Sequence, residues 1–127
     1  MTYQTSDTHT LAALWRSGTD YLGSPYAILG GAMSWVSERN LVAALSNAGA
    51  FGVIAASSMP PELLDKEIKA TQALLRGQGA GVRSQEEKES ASPTPAFGVN
   101  LIIMHPQLAD LVQVCINNRV SHVVLAG

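Results

Sequence analysis

The sequence predicts an α/β domain of parallel βαβ units, and three observations carry that prediction. Four short, nearly continuous apolar runs, at 26–29, 51–55, 97–103 and 120–125, read as strands buried on both faces. Segments with a helical apolar stripe lie between them, so strand and helix alternate along the chain. Glycine and proline punctuate the junctions. At 127 residues the chain has room for one domain.

Each element has its own local reason. Residues 1–21 read as a polar arm and a short helix, Leu11 to Arg16, stopped by Gly18. The core of the domain spans 22–127. Its first strand, 26–29, ends at Gly30-Gly31. Ser37 is expected to cap the next helix, with Glu38 in the first turn near the positive end of the dipole. Leu41, Val42, Ala44 and Leu45 form its apolar face and Gly49 its stop. The second strand, 51–55, follows. Pro60 and Pro61 then mark a helix start, where amides lack intrahelical partners. Leu64, Ile68, Thr71 and Leu75 continue it at offsets 0, 4, 7 and 11, and Gly77 ends it. After the strand at 97–103, Pro106 opens a helix carrying Leu108, Leu111, Val112, Cys115 and Ile116, and the strand at 120–125 closes the series. Residues 77–96 interrupt the alternation with a run of Gly, Ser, Pro and charge, far longer than an ordinary αβ loop of about 2–6 residues. That composition predicts a disordered insertion.

Composition excludes several functions. Hydrophobic residues make up 46% and charged residues 14%, a globular balance, and a net charge of −2 leaves no footprint for nucleic acid or an anionic membrane. No apolar run reaches the roughly 20 residues of a membrane span. The opening MTYQTSDTHT has no basic or apolar signal region. Cys115 is the single cysteine, and no Cys/His cluster has zinc spacing. The expectation is a soluble cytoplasmic protein with no metal.

Parallel crossovers place every strand's C-terminal end on one edge, where α/β folds bind ligands. Two features there stand out. Gly30-Gly31-Ala32-Met33-Ser34-Trp35 could let backbone approach a flat or anionic ligand, or could simply make a tight βα turn. Asn100 interrupts an apolar strand, and its amide must be satisfied either by a ligand or by neighbouring backbone. His105 reads as a cap, His122 as a packed strand residue, His9 as part of the polar arm, and Cys115 as a buried thiol.

Together these segments resemble the nitronate monooxygenases, also called 2-nitropropane dioxygenases. The resemblance rests on ILGGAMSWVS at 28–37, LVAALSNAG at 41–49 with Gly52-Val53-Ile54, and FGVNL at 97–101. FMN-dependent enoyl-ACP reductases share part of it. It implies the N-terminal half, about four strands, of a TIM (β/α)8 barrel, with FMN lying against Gly31, Ala32 and Met33 and hydrogen-bonded by Asn100. It further implies an alkyl nitronate and oxygen as reactants, giving a carbonyl compound and nitrite. The family's phosphate-binding loops and its catalytic histidine, which follows glycines, have no match here, so no catalytic residue is assigned and the chain alone is expected to be inactive. Enoyl reduction and a non-catalytic half-barrel module are the alternative readings. The strands at 26–29 and 120–125 carry no Lys, Glu or internal Pro, so self-association, or pairing with a missing C-terminal half, is expected.

Overall fold

The computed structural model describes residues 6–77 and 95–127, with side chains over 10–75 and 95–127. Of the insertion predicted at 77–96, residues 78–94 lie outside the described residues, whereas Gly77 closes the helix begun at Pro61 and Ala96 packs against the Phe51 and Val53 cluster. Helix α1 (Ser6–Leu22) leads into β1 (Leu29–Gly30), α2 (Arg39–Asn47), β2 (Phe51–Ala55), α3 (Pro61–Gly77), β3 (Phe97–Ile102), α4 (Leu108–Asn117) and β4 (His122–Ala126). The strands form one sheet in the order β1-β2-β3-β4, every pair parallel.

Side chains alternate across this sheet because a strand's period is two. One set, Ile54, Phe97, Val99 and Leu101, packs under the helices with Val42 and Ala43 of α2, Leu64, Ile68 and Leu75 of α3, and Leu111 and Cys115 of α4. The predicted stripe of α3 is borne out in full, since Leu64, Ile68, Thr71 and Leu75 are all buried. Each fully buried aliphatic side chain contributes roughly 1.5–3 kcal/mol of burial. The opposite set begins with Phe51 and Val53, which meet Leu22 of α1, Ala32 and Ala96.

A buried carboxylate ties α2 to α3. Glu67 accepts hydrogen bonds from the Arg39 side chain, through Nη2 and through Nε at 3.1 Å. It also accepts the Arg39 backbone N–H at 3.2 Å, satisfying a donor in the first turn of α2. Hydrogen bonding to Glu67, reinforced by its charge, holds the Arg39 guanidinium pKa above its ordinary value.

Several boundaries differ from the sequence reading, each for a physical reason. Helix α1 runs through Gly18, whose missing side chain makes room for Ala27; a β-carbon at Gly18 would lie 2.7 Å from that methyl group. The actual stop is Gly23, at φ 66°, where the amide bonds back to Thr19 O. Strand β1 occupies 29–30 rather than 26–29, because its partner β2 begins only at Phe51, opposite Leu29. The cap of α2 is Glu38, not Ser37: the Glu38 carboxylate accepts from the Asn40 and Leu41 amides. Ala44 is exposed, and the buried face of α2 is Val42, Ala43 and Ser46. Helix α4 begins at Leu108, after a turn through Pro106, and its Ile116 is 62% exposed. Strands β3 and β4 lie within one or two residues of their predicted ends.

Candidate functional site at the C-terminal edge of the sheet

All four strands end on one edge, formed by residues 30–37, 55–58, 100–104 and 126–127. The loop after β1 is the most structured part of it. Ser37, almost fully buried, donates its hydroxyl hydrogen to Gly31 O at 3.1 Å and accepts the Met33 N–H at 2.9 Å. Its own N–H donates to Met33 O at 2.8 Å, and its carbonyl accepts the Ala55 N–H at 3.0 Å. Ser34 and Ser57 hydroxyls lie 3.2 Å apart, linking this loop to the one after β2.

Gly31 is exposed, does not adopt a positive φ, and a β-carbon built on it would meet nothing within 4 Å. Neither the backbone nor the packing therefore requires glycine there. The open space in front of it is what a ligand approaching the backbone needs. Ala32 turns inward and packs against the Phe51 and Val53 cluster. Met33 has its amide taken by Ser37, so what it presents outward is its half-exposed thioether side chain.

Asn100 pairs with Ala55 on one side and Val124 on the other. Its side-chain Nδ2 reaches Val124 O at 3.5 Å, the outer limit of a hydrogen bond, which leaves the amide weakly satisfied. Asn100 is only half-buried and this contact is open to solvent, so the amide can be completed by water or by a ligand. Asn100 lies two strand spacings from β1, about 10 Å across the edge. An open glycine and an under-used amide facing one edge fit a flat polar ring such as a flavin.

Sequence reasoning missed two features. One is Ser37, whose bonds are set by the loop geometry rather than by any motif. The other is the backbone of Trp35, a residue of the candidate loop that is 82% exposed and held at φ 64°. A left-handed conformation costs a non-glycine residue roughly 1–2 kcal/mol, so the surrounding turn must enforce it. Met104, 83% exposed, follows β3 on the same edge.

The remaining candidates take their quieter roles. His105 accepts the Gln107 N–H through Nδ1 at 3.1 Å, at the entry to α4. His122 sits at the opposite end of the sheet, edge-on to Tyr21 and Phe51 with ring centroids 5.1 and 5.0 Å away, and its Nε2 donates to Tyr21 O at 2.6 Å. His9 falls within α1, its side chain outside the described part. Burial pushes the Cys115 thiol up to about 11, so it stays protonated and is no nucleophile near neutral pH. A groove of about 590 Å³ lies along α1 between Leu11, Trp15 and Pro25, but it includes none of the edge residues. Among the described residues, no helix is long and apolar enough to cross a membrane.

Sequential parallel strands with helices packed on one face define a segment of a TIM-type β/α barrel. The family model for nitronate monooxygenase matches residues 17–121, and the chain belongs to that family. Among solved structures, FabK from Thermotoga maritima is similar at 33% identity and a TM-score of 0.69, over 87% of this chain and 30% of that one. A single-residue variant of the same FabK gives 32% identity and a TM-score of 0.68, over 86% and 31%. The chain thus spans less than a third of the length of these relatives. No curated protein matches it.

Proposed function

We propose that this chain supplies the ring-side wall of an FMN site in an oxidoreductase acting on alkyl nitronates with oxygen. The observation that carries the reading is the pairing of Gly31, open and unconstrained, with Asn100, whose amide has only a 3.5 Å contact of its own. When bound, FMN would supply the two-electron redox chemistry and the reaction with oxygen. The chain's own contribution is placement. Backbone at 31–33 would lie against the ring, and Asn100 would hydrogen-bond a polar ring atom. Neither His105 nor His122 faces the edge as a free base, so no catalytic base is assigned among the described residues.

A second reading is an FMN-dependent enoyl reductase, favoured by the likeness to FabK. Nitrite release from a nitronate, against NAD(P)H oxidation with an enoyl thioester, separates the two in an assembled enzyme.

The flavin assignment is tested by titrating FMN into residues 1–127 and following flavin fluorescence. Asn100→Leu removes one hydrogen bond to the ring, worth roughly 1–3 kcal/mol, so affinity should fall about 5- to 150-fold. Gly31→Ala should weaken FMN binding too, with the melting temperature unchanged, because its new methyl group touches only the ligand's space. Unchanged affinity in both variants overturns the assignment.

We also propose that the isolated chain self-associates. Leu29 on the first strand and Val123, Val124 and Leu125 on the last are 40–60% exposed, and neither edge strand carries a blocking charge. Light scattering should give at least twice the chain mass, and a monodisperse monomer would refute this.

A further inference from the structure

We infer that Ser37 is a positioning residue for the flavin-facing loop, an inference that rests on the flavin reading above. The hydroxyl is not needed to start α2, because Glu38 performs that task through the Asn40 and Leu41 amides. It is spent instead on both ends of the 31–33 segment, donating to Gly31 O and accepting from Met33 N–H. The same residue closes the following turn. Met33 O accepts the amides of both Val36 and Ser37, and Trp35 lies inside the turn so closed, at φ 64°.

A turn with a bulky residue in the left-handed region holds only when its neighbours over-determine it. Ser37 supplies that constraint from a buried site, 3% exposed, anchored to β2 through the Ala55 amide. One hydroxyl therefore ties both ends of the backbone segment that would lie against the ring, and through Met33 it braces the turn that carries Trp35.

Replacing the hydroxyl separates this role from a merely structural one. In Ser37→Ala the backbone bonds of residue 37 to Met33 O and to the Ala55 N–H remain, so the loop stays joined to β2, while Gly31 O and the Met33 N–H lose the hydroxyl that links them. The fold should survive while the loop loosens. The test uses the full chain in a Trp15→Phe background, which leaves Trp35 as the sole indole of the two.

Expected for Ser37→Ala are a lower Trp35 fluorescence anisotropy without flavin, stronger acrylamide quenching, and FMN affinity reduced about tenfold or more. The melting temperature should stay close to that of the parent. Ser37→Thr keeps the hydroxyl and should recover both signals.

Trp35 anisotropy and FMN affinity that match the parent in Ser37→Ala overturn the inference. So does a folded Ser37→Thr that behaves like the alanine variant. A loosened Trp35 with undiminished FMN affinity shows a loop that Ser37 holds but the flavin does not use, which also overturns it. Weak FMN binding is expected of a chain that supplies only the ring side; no binding at up to about 1 mM FMN overturns the flavin reading itself, and the Trp35 signal then reports separately on whether Ser37 holds the loop.

Discussion

Phe51→Ala should destabilise the chain by about 3–5 kcal/mol, the range for truncating a buried aromatic side chain. Phe51 is 1% exposed and is the largest side chain on the sheet face away from α2, α3 and α4. It fills the space left by Gly98, where a β-carbon would come within 2.9 Å of its ring. It also backs the His122 ring that hydrogen-bonds Tyr21 O, and it packs against Leu22. Truncation therefore opens a cavity and loosens the end of α1 together. Against a typical total of about 5–15 kcal/mol, that loss is a large fraction of the stability. Urea unfolding should show a much lower midpoint, and a loss below about 1 kcal/mol would show that this face collapses to fill the void.

The parts legible in the sequence are those fixed by periodicity. The stripe Leu64, Ile68, Thr71 and Leu75 has one helical solution, and FGVIA is buried at every position, so α3 and β2 could be placed directly. Errors arose where a residue type serves two ends. Gly18 reads as a stop, yet it exists for contact with Ala27, a residue outside the helix. Ser37 and Glu38 are both acceptable caps, and only the fold decides which faces the amides of α2 and which faces the loop. Gly31 and Asn100 could be singled out as unusual at a strand end. Their shared edge follows from the topology, but the poor hydrogen bond of Asn100 and the open space at Gly31 exist only in three dimensions. The left-handed Trp35 has no sequence signal, since glycine or asparagine would be expected at such a φ.

Gly52→Val should damage both the fold and the site, in contrast to Gly31→Ala. Gly52 points from β2 toward α2, and a β-carbon there would lie 2.7 Å from Val42 O and 2.9 Å from Val42 Cα. Both are backbone atoms, so no side-chain rotation relieves the clash and the helix itself must move. Its N–H also donates to Ser46 Oγ at 3.2 Å, a buried bond that a displaced α2 would break. Overpacking typically costs about 1–3 kcal/mol, and valine, with two further methyl groups against backbone, should lie at or above the top of that range. The displacement starts eight residues from the Glu38 cap of α2 only in sequence terms for Ser46; Val42 itself donates its N–H to Glu38 O, next to Ser37. Movement at Val42 is thus transmitted directly to the loop that carries Gly31 and Met33. Thermal melting should show a marked loss of stability, and FMN titration a parallel loss of affinity. A Gly52→Val chain that melts like the parent would mean that α2 can slide on the sheet without cost, and the close packing of helix on strand would no longer explain why this position is glycine.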